Sequence, residues 1–280
     1  MRIRVGCMLQ PYRNSSLSRA VRGIVAAGFR YTAFVGSFGG NPVFDDQTAD
    51  DELIAMNRMI RDLGLVPLTA WGGDLLSAEE ERICRRLDQA AQLELESLLI
   101  PGPWAYEDPQ ARHRKPQQVL RDEFEQYVEL LMRLAPEAAA RGLRFDVMPR
   151  GGIAGTGRGL SELVTRIGSA TLRIAYNPGN TRFFEGVDPI ADIAPIGAYL
   201  SGICVKDHRG TRHNHDFPTP GDGAVDWRRL FERLRTIGFD GWMLVEEVGG
   251  NGTPASVDAE VARARRRILA WARGVGAEIE

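Results

Sequence analysis

Short apolar runs rich in valine, isoleucine and leucine alternate along the chain with longer segments in which apolar residues recur every three or four positions. Such alternation marks a parallel sheet whose strands are joined by crossover helices. Strand-like runs occupy 2–8, 30–35, 65–71, 97–100, 143–148, 172–177, 200–206 and 241–246. Helical periodicity covers 17–27, 50–63, 77–93, 116–140, 160–167, 188–196, 226–237 and 256–273. Gly28, Gly64 and Gly142 follow the last periodic residues of their helices, where a left-handed backbone suits glycine. Ser77, with Glu80 three residues on, reads as a capping box. Pro136 lies inside the 116–140 stretch and should kink or divide that helix.

Strict alternation of strands and helices, with no linker composition between them, predicts an α/β fold of the closed (β/α)8 barrel type, with residues 1–280 as a single domain. An open doubly wound sheet is the alternative. It wants a glycine-rich phosphate turn after the first strand, and Gln10-Pro-Tyr-Arg-Asn-Ser15 offers none. Residues 36–40 form a glycine-rich loop after strand two. The 152–157 loop is also glycine-rich but lacks the Lys-Ser/Thr of a P-loop, so it reads as a loop at the barrel mouth.

Composition narrows the partners. Of 280 residues, 44% are hydrophobic and 26% charged, as in soluble globular proteins. The net charge of −2 leaves no footprint for nucleic acid or an anionic membrane, and the arginines at 263–267 are flanked by Asp258 and Glu260 as on a solvated helix face. No apolar run is long enough to span a bilayer, and the N-terminus reads as a first strand rather than a signal peptide. Cys7, Cys84 and Cys204 are too widely spaced for a disulfide framework or a CxxC pair, so a reducing cytoplasm is the expected location.

In a (β/α)8 barrel the chemistry sits at the carboxyl ends of the strands, and side chains alternate between lumen and helix layer. If the polar residue at each strand end faces the lumen, strand five points Asp146 and Met148 inward, and strand six points Asn177. Strand seven then contributes Cys204 and Lys206, and strand eight Glu246. Asp146 taken alone reads as a satisfied core group. Glu246 and Lys206, at the tops of adjacent strands, read as a pair able to do acid–base work. His208, His213 and His215, with Asp216, crowd the loop after strand seven. They form either a polar lid in which one histidine touches substrate or a small zinc-like site.

At these positions the chain resembles the sugar phosphate isomerase/epimerase superfamily, the xylose-isomerase-like barrels. The marks are Tyr176-Asn177-Pro-Gly-Asn180, Cys204-Val-Lys206-Asp207, Phe239-Asp-Gly-Trp-Met-Leu-Val-Glu246, Pro220-Gly-Asp-Gly-Ala-Val-Asp226-Trp and Pro149-Arg150-Gly151-Gly152. The resemblance spans the chain and is sharpest between 143 and 247. It implies one divalent ion, often manganese or magnesium, held by carboxylates on strands five, six and eight and a histidine on seven. Transferred residue by residue, those positions are Met148, Asn177, Cys204 and Glu246, of which only Glu246 is a family ligand. Hard cations seek carboxylate oxygens, so no metal cofactor is expected, with manganese or zinc kept as the alternative.

The resemblance implies proton transfer next to a carbonyl on a small polyhydroxylated molecule. Glu246 would be the base, and Lys206, Arg150 or protonated His208 the electrophile. Asn177, Asn180 and Asp207 would bind substrate by hydrogen bonds, and Trp71, Trp104, Tyr12 and Phe38 would stack on it. Elimination of water or a glycosyl group from an oxo-sugar is a second reading, and a non-catalytic binding subunit a third. A small-molecule substrate and possible pairing into a homodimer complete the expectations. A zinc-dependent DNA-repair barrel is disfavoured, because it needs more histidines at strand ends than this chain has.

Overall fold

The structure is a computed structural model, and it describes residues 1–38, 41–108 and 110–280. Gly39 and Gly40, in the glycine-rich loop after the second strand, lie outside the described residues. The barrel strands are β1 (Arg2–Cys7), β2 (Tyr31–Phe34), β3 (Val66–Trp71), β4 (Ser97–Pro101), β5 (Arg144–Met148), β6 (Leu172–Tyr176), β7 (Leu200–Val205) and β8 (Gly241–Val245). Each pairs in parallel with its neighbour in chain order, and β8 returns to β1 with Ile3 opposite Gly241 and Cys7 opposite Val245, closing the barrel. A short β9 (Glu278–Ile279) lies beside the first residues of β1, below the point where Gly6 meets Tyr31 of β2.

The helices are α1 (Leu17–Ala26), α2 (Asp50–Asp62), α3 (Glu80–Gln92), α4 (Gln117–Ala140), α5 (Gly157–Ile167), α6 (Pro189–Asp192), α7 (Trp227–Thr236) and α8 (Pro254–Gly274). Ser16, Thr156, Asp226 and Thr253 each accept a hydrogen bond from a first-turn N–H of the helix that follows, satisfying donors that have no partner within the helix. Among the described residues, no helix is long and apolar enough to cross a membrane.

Three local expectations need correction. Ser77 does not cap α3: its hydroxyl donates to Asp74 O at 3.0 Å within a 3-10 turn, and the helix begins at Glu80 with no side-chain cap. Pro136 does not divide α4, because Leu131, Leu134, Ala135 and Ala138 are buried on both sides of it and packing outweighs one missing hydrogen bond. The sixth helix is only one α-turn followed by a 3-10 segment, Ala194–Tyr199, with Pro195 in its first turn.

The barrel interior is a packed core. Leu99, Met148, Ala175, Cys204, Trp242 and Leu244 meet in the lumen, apart from the larger core between strands and helices. Trp242 fits only because Gly202 faces it: a Cβ there would lie 2.2 Å from the indole. Toward the N-terminal end the lumen turns polar. Asp146 is fully buried and accepts from Ser97 Oγ and Ser201 Oγ, each at 2.6 Å, and from Arg144 Nε at 3.1 Å. Arg144 and Arg4 also pair with Glu96. Asp146 therefore belongs to a structural plug one layer below the mouth and is not part of the mouth itself.

Candidate active site

The segment following β6 builds the mouth. Asn177 caps a short turn, Pro178–Asn180, its Oδ1 accepting from Asn180 N–H at 3.0 Å. Proline suits the first position of such a turn, where its missing N–H costs nothing. Gly179 is required because a Cβ would sit 2.7 Å from the Lys206 carbonyl oxygen on the adjacent strand end. Asn180 Nδ2 donates to Pro149 O at 3.1 Å, tying the turn to the end of β5. The capping bond also sets which way the Asn177 amide faces. Its Nδ2 donates to Glu246 Oε2 at 2.6 Å and lies 3.4 Å from Met148 Sδ.

Glu246 follows β8, its N–H bonded to Val205 O of β7. Its second oxygen, Oε1, accepts from Lys206 Nζ at 3.0 Å, with only 14% of the glutamate and 12% of the lysine side chain exposed. The ammonium also lies 4.3 Å from the centre of the Phe217 ring, which shields it from water. Above the pair opens a pocket of about 390 Å3, large enough for a small ligand. Glu246, Lys206, Asn180, Met148 and Arg150 form one side of it, and Trp71, Phe34, Met8 and Gln10 the other. Phe34, Met8 and Gln10 were not singled out from sequence. Their place at the ends of β2 and β1 was the available signal.

Other expected site residues fall elsewhere. Tyr12 is buried beneath the rim, its hydroxyl donating to Asp258 of α8 at 2.9 Å, so it does not reach the pocket. Phe38 is buried in the core between strands and helices. Trp104 supports the wall from behind, edge-on to Phe184 and beneath the Arg150 guanidinium, 4.7 Å from the ring centre.

Asp207 is fully buried and accepts from the N–H groups of His208, Gly221, Gly223 and Val225 and from Trp227 Nε1, all within 3.2 Å. The Pro-Gly-Asp-Gly-Ala-Val-Asp-Trp segment is thus wrapped around one carboxylate. Gly223 permits this, since a Cβ there would lie 2.1 Å from Asp207 Oδ1. Asp207 is a fastening for that loop and has no capacity left for substrate.

His208 is also turned away from the pocket. Its Nε2 lies 2.8 Å from Asn214 O, its ring packs against Phe183 and Phe217, and burial pushes its pKa below the usual histidine value. It is neutral near pH 7 and is not the protonated electrophile. His213 bonds Tyr106 Oη at 2.8 Å and His215 packs on Phe183, so the histidine-rich loop is held by aromatic contacts. Among the described residues no cluster of three or more His, Cys, Asp and Glu is arranged to hold a metal ion.

The four positions that hold metal ligands in the resembled family carry donors ill suited to a divalent ion. Met148 presents a thioether, and the Asn177 amide turns its nitrogen, not its oxygen, toward Glu246. Cys204 is completely buried, which pushes its thiol pKa well above the ordinary value and keeps it protonated. Glu246 is already paired with an ammonium. These groups do not fit a hard cation, and Lys206 supplies the positive charge that Glu246 faces.

Fold and mouth together define a (β/α)8 barrel with a pocket at the C-terminal ends of its strands. The family model for the xylose isomerase-like TIM barrel matches residues 21–270, and the chain belongs to that family. Solved structures agree on the fold. A D-psicose 3-epimerase crystallised with D-fructose aligns with TM-score 0.70 at 16% identity, covering 97% of this chain and 99% of that one. A 3-keto-D-glucoside 4-epimerase from E. coli aligns with TM-score 0.70 at 18% identity, covering 95% and 100%. A xylose isomerase domain protein from Planctomyces limnophilus aligns with TM-score 0.74 at 14% identity, covering 98% of each chain. A comparison with curated proteins finds no match.

Proposed function

We propose that this chain is an enzyme of the sugar isomerase/epimerase kind that moves a proton next to a carbonyl on a small polyhydroxylated substrate, without a divalent metal. The observation that carries the reading is the Glu246–Lys206 pair, 3.0 Å apart at the floor of the pocket. Glu246 takes the proton from carbon, and the electron pair moves onto the carbonyl oxygen. That oxygen needs a positive charge already in place, and Lys206 provides it. The two events reinforce each other. As Glu246 becomes neutral its hold on the ammonium weakens, and the charge turns to the growing oxyanion. Asn177 meanwhile keeps the carboxyl group aimed, and Trp71 and Phe34 help exclude water.

Return of the proton to the adjacent carbon, with the hydroxyl proton passing between the two oxygens, completes an aldose–ketose interconversion. One carboxylate lines the pocket among the described residues, so proton removal and return use the same face. Inversion at a single carbon needs a second donor on the other face. Lys206 stands beside Glu246, and Arg150 is too weak an acid. The site therefore favours isomerisation over epimerisation.

The test incubates chelator-treated protein with neutral and acidic aldoses and ketoses in deuterated water and follows the substrates by NMR. Deuterium should enter next to the carbonyl whether or not chelator is present, and about a thousandfold more slowly with Glu246→Gln. Loss of activity on chelation, restored by manganese, would end the metal-free reading. Absence of exchange with every substrate would end the isomerase reading, and a product lighter by one water would replace it with elimination.

A further inference from the structure

We propose that the ligand of this pocket carries a compact oxyanion, a carboxylate or a phosphate, at the end remote from the carbon that Glu246 attacks, and that Arg150 is its anchor. The inference deepens the isomerase reading and rests on it for the role of Glu246, but it stands on separate observations.

The first is charge balance. Glu246, Lys206 and Arg150 are the charged groups lining the pocket among the described residues, and the first two neutralise each other at 3.0 Å. Arg150 is left over. It has no carboxylate within ion-pair distance and donates no hydrogen bond among the described residues. The acidic group whose charge reaches it is Asp74, and the Asp74 carboxylate is occupied in capping a turn, accepting from Leu76 N at 3.2 Å. A half-buried guanidinium without a partner is costly, which is why cations in such positions are normally paired. Burial accordingly pulls the Arg150 pKa below its usual value, yet the group stays charged.

The second observation is that Arg150 is held in place. Its guanidinium carbon lies 4.7 Å from the centre of the Trp104 ring, a cation–π contact that backs the group on one side. The two residues after it, Gly151 and Gly152, have φ of +95° and +74° and make a sharp turn that other residues adopt only under strain. That turn is locked from behind, since Gly152 N–H donates to Glu185 Oε1 at 2.8 Å. Glu185 is in turn engaged by Arg114, both contacts at 3.1 Å, so it does not serve Arg150 as a counterion. A rigid, unpaired, planar fork at the wall of a small pocket is built to receive a carboxylate or phosphate through two parallel hydrogen bonds.

The position fits a bifunctional ligand. Arg150 follows β5 and Glu246 follows β8, with β6 and β7 between them in the ring of strands. A polyol bound between them would present its oxyanion to one and its carbonyl end to the other. The implied substrate class is a sugar acid or a sugar phosphate.

Binding probes that cannot turn over give the test. The full chain is titrated calorimetrically at low ionic strength with arabinitol, arabinonate and arabinitol 5-phosphate. At least one anion should bind about 10- to 100-fold more tightly than arabinitol, the range for hydrogen bonds to a charged group. Which anion wins separates a carboxylate from a phosphate substrate. In Arg150→Met, shown to be folded by circular dichroism, the preference should fall to about twofold or less. Arg150→Lys keeps the charge but loses the two-pronged contact, and should retain a severalfold smaller preference than the native protein, which serves if the methionine variant does not fold. Equal binding of arabinitol, or a preference that survives both substitutions, overturns the proposal. If anions bind through Arg150 but no proton exchange occurs, the isomerase reading fails and the oxyanion site stands. If a neutral sugar exchanges its proton but neither anion binds more tightly than arabinitol, the oxyanion site fails and the isomerase stands.

Discussion

Asp207 and Glu246 are acidic residues just past the ends of adjacent strands, yet the tertiary structure uses them oppositely. Asp207 has no exposed surface and five donors, four from the loop after β7 and one from the first residue of α7, so its hydrogen-bonding capacity is spent within the protein. Glu246 has two side-chain donors, one on each oxygen, and the rest of its capacity faces the pocket. A carboxylate at a barrel mouth is available for chemistry only where the protein has left part of it unsatisfied. Alternation decides which is which: Glu246 is one residue past β8 and points to the lumen, whereas Asp207 is two past β7 and points away.

The contrast can be broken most severely at Glu246. Glu246→Gln should lower the rate of proton exchange by about a thousandfold, the usual scale for removing a general base, with little change in the urea midpoint. Asp207→Ala should do the reverse. It leaves four backbone N–H groups and the Trp227 indole without their acceptor, and should cost about 3 kcal/mol or more of stability in urea denaturation. The rate per folded molecule should fall far less than for Glu246→Gln. Comparable catalytic losses in the two variants would remove the distinction.

A smaller effect is expected at Asp46, a buried carboxylate satisfied by arginines instead of peptide N–H groups. Burial pushes its pKa up, but Arg82, Gln47 and Arg86 together outweigh burial and hold it well below the ordinary carboxylate value. A depressed folded-state pKa means that the stabilisation is complete above the unfolded value of about 4 and is lost as pH falls toward the folded one. Asp46→Asn should therefore cost about 2 kcal/mol at pH 7, and the gap from the native protein should narrow below about pH 4 in urea titrations. The smallest effect belongs to Tyr12→Phe, which removes one hydrogen bond to Asp258 far from the pocket. About 1 kcal/mol of stability should go, with kcat/KM unchanged.

Much of the mouth was legible from strand alternation alone. Met148, Asn177, Cys204, Lys206 and Glu246 lie where parity puts them, because a pleated strand has a period of two and a barrel strand has one inside. Asp146 obeys the same parity but lies one layer lower, and its partners Ser97 and Ser201 sit on strands that the period alone does not pair with it. Loop residues were harder. Tyr12 and Asp207 look like rim groups in sequence, and the difference lies in partners far along the chain, Asp258 for one and Gly221 to Trp227 for the other.

By itself the sequence determined the barrel, and the family resemblance put Met148, Asn177 and Cys204 where two carboxylates and a histidine would be expected. The barrel follows from local periodicity, which does not depend on distant contacts. Only the tertiary structure decided that Lys206 faces Glu246, that His208 is neutral and turned away, and that Arg150 lines the pocket with no carboxylate partner among the described residues. The physical reason is that a side chain's charge state and availability depend on what surrounds it in space, and in a closed barrel those surroundings come from strands and loops scattered along the whole chain.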